Sequence, residues 1–381
     1  MNRPDVDSDI ARMTTYCTYC PKMCRFTCPA AHAEGRETVT PWGMMRLFEL
    51  ARDGSVDLDD DVADAFFHCT GCRRCQTFCA HDNDVPRALW EARRWSVANG
   101  HLPSAYEALQ EQFDEHKTPY EVDPDALDLA PFDAEGTVGF WPDCSTVAHR
   151  PHLIAPLGRL ISQLTGEKVR LITDDDTPHP PCCGFPLTGA GLDDAAGCRQ
   201  LWPHLADLDE VWTDCPALAA MERPDSSWPR PDDELDTPPV RHLYGLLAKS
   251  LDDLPPPPHP LSAADALLHQ SCLVARQIDA LDDVDRILAL ICESPPRKMA
   301  YHDDESPCCG GRCHYQILEP DASARAARHV VDSLERHPGA QRLVTTSSMC
   351  GKAMGDEAPP HAVTTLLEMV CHAYGLTDES L

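Results

Sequence analysis

The chain of 381 residues and 42.1 kDa carries 62 acidic against 32 basic side chains, a formal net charge of −30, and 20 cysteines. Phosphate neutralisation needs clustered Lys and Arg, so this balance excludes a nucleic-acid-binding role. With 43% hydrophobic residues the chain can bury a substantial core, yet no apolar run approaches the roughly 18 residues of a membrane span; the expectation is a soluble protein, peripheral at most on the inner face of a membrane.

The acidity is asymmetric: 42 Asp against 20 Glu, and 26 Arg against 6 Lys. Short carboxylates and scarce lysine stems predict a halophilic surface, on which high ionic strength screens self-repulsion. The opening MNRPDVDSDIARMTT has neither the basic n-region nor the apolar h-region of a secretion signal. The thiols are therefore expected in a reducing cytoplasm, where they serve metal binding or redox chemistry rather than disulfides.

Residues 1–117 come first and hold eight cysteines in two groups. Apolar spacing of three and four residues predicts helices over Trp42–Arg52, Asp59–Phe67 and Val85–Ala98. Cys17-x2-Cys20-x3-Cys24-x3-Cys28-Pro29 and Cys69-x2-Cys72-x2-Cys75-x3-Cys79 match the bacterial ferredoxin run, in which three close cysteines hold one 4Fe-4S cluster and the fourth ligates the other. That predicts Cys17, Cys20, Cys24 and Cys79 on one cluster, and Cys69, Cys72, Cys75 and Cys28 on the second. A zinc ribbon would leave the fourth-cysteine spacing unexplained. The run departs at two places: an extra residue separates Cys20 from Cys24, and Ala80, not proline, follows Cys79. The intervening helical stretch resembles the all-helical ferredoxin domain of respiratory iron-sulfur subunits.

Residues 118–136 read as a linker, and two segments of similar plan follow, 137–250 and 261–381, joined by the proline-rich 251–260. An acidic proline-rich loop, 223–239, lies inside the first. Each segment opens on a short strand, TVGFW (137–141) or DALLHQ (265–270), that leads to Cys144 or Cys272. A helical stretch, a strand (168–172 or 297–302), a Cys-Cys-Gly, a second helical stretch and a strand (210–214 or 341–346) complete the plan, which ends on Cys215 or Cys350. The cysteines thus fall past the carboxyl ends of strands, where open α/β sheets place their ligands.

HPPCCGFPLTGAG (179–191) and SPCCGGRC (306–313), each flanked by an upstream and a downstream cysteine, resemble the CCG cysteine-rich domains of the heterodisulfide reductase family. Relatives in that family include the iron-sulfur subunits of glycolate oxidase, of anaerobic glycerol-3-phosphate dehydrogenase and of lactate oxidation systems. The resemblance implies a multi-domain α+β protein: an all-helical ferredoxin domain followed by two tandem α/β CCG repeats. It implies ligands Cys144, Cys182, Cys183 and Cys215 in one repeat, and Cys272, Cys308, Cys309 and Cys350 in the other. In the heterodisulfide reductases themselves the motif closes on Cys-x-x-Cys, and five thiolates hold a noncubane cluster that cleaves a disulfide. Here Cys215-Pro-Ala-Leu218 and Cys350-Gly-Lys-Ala353 lack the last cysteine, which leaves a further iron-sulfur cluster or a tetrahedral zinc open.

Of the remaining cysteines, Cys198, Cys292 and Cys371 fall in helix-like stretches and are expected in the core, whereas Cys313 is a candidate fifth ligand. His81, beside Cys79, and His302, near the second Cys-Cys-Gly, are candidates for hydrogen bonds to sulfur. Gly351-Lys352 and TGAGLD (188–193) do not complete a phosphate-binding loop, so the chain is expected to bind no flavin or nicotinamide itself. The implied role is an oxidoreductase subunit that does not itself oxidise the substrate. It passes electrons from a flavoprotein dehydrogenase partner to a quinone or other acceptor, with or without a membrane anchor. The competing role is a thiol/disulfide reductase using a CCG-bound cluster.

Overall fold

The computed structural model describes residues 4, 6–174, 177–192, 202–223, 226, 237–311 and 313–377, without the side chains of residues 202, 203 and 313. Its N-terminal part is helical. The helix Pro41–Asp53 starts at Thr40, whose side chain accepts from Gly43 N, and stops at Gly54 in the left-handed conformation. Asp59 and Asp84 cap the helices Asp60–Phe67 and Val85–Ala98 in the same way. These three segments agree with the apolar periodicity. Two further helices, Ser8–Tyr19 and Ser104–His116, were not expected from it. Met44, Phe48, Phe66, Leu89 and Trp95 pack between the helices around Cys17, Cys69 and Cys75.

Two four-stranded parallel sheets follow. β1 (Val138–Phe140), β2 (Val169–Leu171), β3 (Glu210–Thr213) and β4 (Val240–His242) lie in the order β2-β1-β3-β4. Among the described residues β5 (Leu261–Ser262) pairs with β7 (Cys292–Ser294) alone. β6 (Ala266–His269), β8 (Arg297–Lys298), β9 (Arg342–Thr345) and β10 (Val363–Thr365) form the second sheet, in the equivalent order β8-β6-β9-β10. All pairings are parallel. β1 and β6 are buried throughout, as expected of central strands covered on both faces. In each sheet the chain reverses direction of progress between the two central strands, which opens a crevice at their carboxyl ends.

The strand expected over 297–302 is confined to Arg297–Lys298, and Cys292 opens β7 rather than lying in a helix, although it is buried. Cys371 is fully buried in the helix Leu366–Ala373. The segment 118–136 packs onto the first sheet: Asp133 N donates to Val169 O at 2.9 Å, and Phe132 stacks on Phe140 with ring centroids 6.2 Å apart. Most of the acidic loop 223–239 lies outside the described residues, as do Cys198 and the side chain of Cys313.

Three bodies share one core. Phe67 and Cys72 of the helical part, Trp141, Cys183 and Phe185 of the first sheet unit, and Cys272, Cys308 and Met349 of the second belong to a single hydrophobic cluster. Arg93, 1% exposed, fastens them: it donates to Phe66 O, Cys69 O and, across the interface, Gly189 O at 2.5–2.8 Å. Among the described residues no helix is long and apolar enough to cross a membrane.

Candidate iron-sulfur site

Sixteen cysteines meet in four groups. The first is built where the helix Ser8–Tyr19 ends: the thiols of Cys20, Cys24 and Cys79 are close enough to Cys17 to repel a charge on it, and Asn83 Nδ2 donates to Cys17 Sγ at 3.3 Å. Burial pushes Cys17 up to about 12 and Cys24 up to about 11. In the second group Cys69 and Cys72 act on Cys28, and all three act on Cys75. Gly71 N points at Cys69 Sγ, 3.3 Å away. Each group therefore joins three close cysteines to one distant one, in the combination read from the spacing. Cys24 also acts on Cys75, so the two groups are neighbours.

The third group sits in the crevice of the first sheet. Cys144 opens the helix that follows β1, and Cys215 caps the helix Pro216–Met221 that follows β3. Cys183 lies within hydrogen-bonding reach of Cys182 and of Cys215. Gly184, at φ +78°, turns the chain immediately after the cysteine pair. Behind the thiols lie two buried acids, Asp143 and Asp214, that the sequence reading missed. Asp143 contacts Cys144 and Cys215, and Asp214 Oδ1 accepts from Asp143 N at 2.7 Å. Burial raises both carboxyls.

The fourth group occupies the matching crevice of the second sheet. Cys308 reaches Cys272, Cys350 reaches Cys309, and Cys272 acts on Cys350. Gly310 N and Gly311 N each point at a sulfur, Cys308 Sγ and Cys309 Sγ, at 3.4 Å. In the third and fourth groups contact between thiols, then burial, raises Cys183, Cys215, Cys308 and Cys350 above the usual thiol range. Thiols so placed shed their protons when a cation replaces them.

The two units match in the hydrogen bonds beyond their central strands. Asp143 N to Asp214 Oδ1 corresponds to Ser271 N to Thr346 Oγ1, at 2.7 and 2.8 Å. The residue after Asp214 is the helix cap Cys215, and the residue after Thr346 is the helix cap Ser347. Cys350 lies one helical turn on, at the position of Leu218. The first unit thus keeps the first half of a Cys-x-x-Cys and the second unit keeps the second half. The cysteine lacking in the second unit falls at Ser347, not at Ala353. Ser347 Oγ is buried without a hydrogen-bond partner.

The second and fourth groups touch. Cys72 lies within hydrogen-bonding reach of Cys308, and Thr70 Oγ1 is 3.9 Å from Cys308 Sγ. The contact with Cys308 and the Arg276 guanidinium hold the Cys72 thiol well below its usual range, against the opposing effect of burial. Arg276 spans the junction, donating through Nε to Cys72 O at 2.6 Å and through Nη1 to Asp304 O and Ser306 O at 2.7 and 2.9 Å. Its Nη2 is buried without a partner. Gln277 adds a bond to Gly71 O at 2.9 Å.

All-sulfur donor sets, backbone N–H groups aimed at sulfur and a half-buried cation with an unspent donor suit anionic iron-sulfur centres. The histidines expected to contact sulfur are elsewhere: His81 packs on Tyr16, with ring centroids 4.9 Å apart, and His302 bonds to Asp303 at 2.9 Å. Asn83, two residues beyond His81, supplies that contact instead. Glu34, His68 and Glu319 bring ligand atoms within 4.8 Å of one another, but both His68 nitrogens are taken, by Glu34 and Asp64, in an ion-pair network.

Comparison with known families agrees with two parts of this picture. Residues 13–83 match the 4Fe-4S dicluster domain, and residues 266–355 match the CCG cysteine-rich domain. No curated protein matches the chain. The chain therefore carries a helical 4Fe-4S dicluster domain and a C-terminal CCG cysteine-rich domain, a pairing that supports an iron-sulfur electron-transfer role.

Proposed function

We propose that the chain is the iron-sulfur electron-transfer subunit of an oxidoreductase, built from a ferredoxin domain (1–117) and two CCG units (137–250 and 261–381). Cys17, Cys20, Cys24 and Cys79 would hold one 4Fe-4S cluster, and Cys28, Cys69, Cys72 and Cys75 the other. Cys144, Cys182, Cys183 and Cys215, and Cys272, Cys308, Cys309 and Cys350, would hold further clusters or zinc. Such clusters supply one-electron carriers whose potentials span about −700 to +450 mV according to their surroundings. The observation that carries the reading is the contact of Cys72 with Cys308, which joins the ferredoxin domain to the C-terminal CCG unit through ligand positions of both.

The residues of the chain set direction and insulation. Cys20, Cys24 and Cys79 are half-exposed, beside the exposed Tyr16, Tyr19 and Met23, which suits entry of electrons from a flavoprotein partner. The other three groups are buried, which limits water along the path up to the cavity that Cys308 faces. Arg276 places a fixed positive charge beside Cys72, which favours the reduced state there. The path ends in the CCG units, where a quinone or other acceptor would take over. The split Cys-x-x-Cys, with no fifth thiol at Leu218 or Ser347, weighs against disulfide cleavage.

Anaerobic purification followed by iron, acid-labile sulfide and zinc analysis tests the reading. About eight irons belong to the ferredoxin domain alone, and well above eight without zinc places clusters in the CCG units. Fewer than about six after anaerobic reconstitution defeats the two-cluster assignment. Cys72→Ser should abolish partner-to-acceptor turnover, and unchanged turnover refutes the path.

A further inference from the structure

A cavity of about 590 Å³ opens between the ferredoxin domain and the C-terminal CCG unit, with Cys308 in its wall. Its size falls within the range of small-molecule sites. Four arginines line it, Arg74, Arg325, Arg328 and Arg336, although the chain as a whole has nearly twice as many acidic as basic side chains. His32, His329 and His337 join them, against one acid, Asp332.

The arginines keep most of their charge available. Arg74 donates to Glu305 O and Thr27 O, Arg325 to Ala33 O, and Arg336 to His329 O and Ser333 Oγ, all neutral oxygens. Arg328 alone is paired with a carboxylate, that of Glu357. The field inside is correspondingly positive: burial, then Arg336 and His32, lower the pKa of His329, with Asp332 opposing. Phe26, Met299, Tyr301 and Pro307 supply an apolar side to the same cavity.

We propose that this cavity binds a small organic anion, a carboxylate or phosphate ester carrying an apolar body, against the Cys308 face of the C-terminal CCG unit. Guanidinium groups recognise carboxylates and phosphates through paired, charge-assisted hydrogen bonds. Arg325 and Arg336 would fix the charged end, and the apolar side would take the body. The proposal rests on the electron-transfer reading for what Cys308 holds, and it specifies the class of small molecule that meets the end of the path. A neutral quinone would leave the guanidinium charges unused.

The test is calorimetric titration of the iron-loaded full chain at fixed ionic strength with phenyl phosphate, phenylacetate and the neutral 2-phenylethanol. Either or both anions should bind, which tells phosphate from carboxylate preference, and the alcohol should bind at least about tenfold more weakly. Arg336→Gln should weaken anion binding by about tenfold with iron content unchanged. Arg325→Gln should do the same, and Arg336→Lys should recover part of the affinity. Equal binding of the alcohol, no binding of either anion, or an Arg336→Gln chain that binds as the parent does would overturn the proposal. Full iron without anion binding defeats this inference alone, and anion binding to a chain with no iron or zinc beyond the ferredoxin domain defeats the electron-transfer path alone.

Discussion

Replacing Arg276 by Met removes the staple between the ferredoxin domain and the C-terminal CCG unit. Three bonds to carbonyl oxygens are lost, at 2.6, 2.7 and 2.9 Å. Bonds from a charged donor contribute about 1.5–3 kcal/mol each; solvent screens the half-buried guanidinium in part and its removal returns some desolvation cost, so the net loss is about 3–5 kcal/mol. At an unfolding entropy of about 2.1 cal/mol/K per residue over the whole chain, that corresponds to a fall in melting temperature of roughly 4–6 °C. Arg276→Lys keeps the charge and one of the bonds, and should fall by about half as much. Thermal melts of the iron-loaded chain, followed by circular dichroism, measure this. A redox titration followed by paramagnetic resonance supplies the second readout: the centre held by Cys72 should become harder to reduce in Arg276→Met and stay near the parent value in Arg276→Lys. A melting temperature within about 1 °C of the parent would refute the energetic argument, and an unmoved potential would refute the electrostatic one.

Ser347→Cys should complete a Cys-x-x-Cys in the C-terminal unit and change the iron stoichiometry or spectrum of its centre, whereas Ala353→Cys should leave both unchanged; the opposite pattern would return the lost cysteine to position 353. Gly191 stands at φ +78°, and a Cβ there would lie 2.7 Å from Arg94 N. Gly191→Ala should therefore cost more than the roughly 1–2 kcal/mol of the left-handed conformation alone, read from the midpoint of a urea melt. At Asp303 desolvation opposes the charge, but bonds from Lys298, Gln270 and His302 hold the carboxyl down to about 2. The folded value lies below the unfolded one, so its contribution is present above pH 4 and disappears as the pH falls through 2. Asp303→Asn should flatten that acid limb by no more than about 1 kcal/mol, since the half-exposed group is screened by solvent.

The grouping of the eight N-terminal cysteines and the paired sheet units were legible because both are written in local spacing. Three helices carried their apolar period and their capping acids in the open. The helix Ser104–His116 was hidden because only Tyr106, Leu109 and Phe113 on its buried face are apolar. β4 and β10 were missed because three-residue strands have too little alternation to stand out. The misreading at Cys350 had a physical cause: equivalence between the units is set by strand ends and helix caps, which place Ser347 opposite Cys215, and a hydroxyl at that cap gives no signal in a search for thiols. Arg276, Asn83 and the Asp143–Asp214 pair were invisible for a different reason, since each acts across a contact that only the folded chain creates.

The unequal exposure of the four cysteine groups bears on manufacture and repair. On the proposed reading, iron can enter or leave the group of Cys17, Cys20, Cys24 and Cys79 while the chain stays closed, because three of its thiols reach the surface. The other three groups are closed in by the core that the helical part shares with both sheets, except where Cys308 of the fourth faces the cavity. Iron for the second and third groups has to arrive while the chain is still open, so synthesis and metal delivery are coupled in time. Oxidative damage at the outer group is repairable in place, whereas damage further in commits the molecule to unfolding or to replacement.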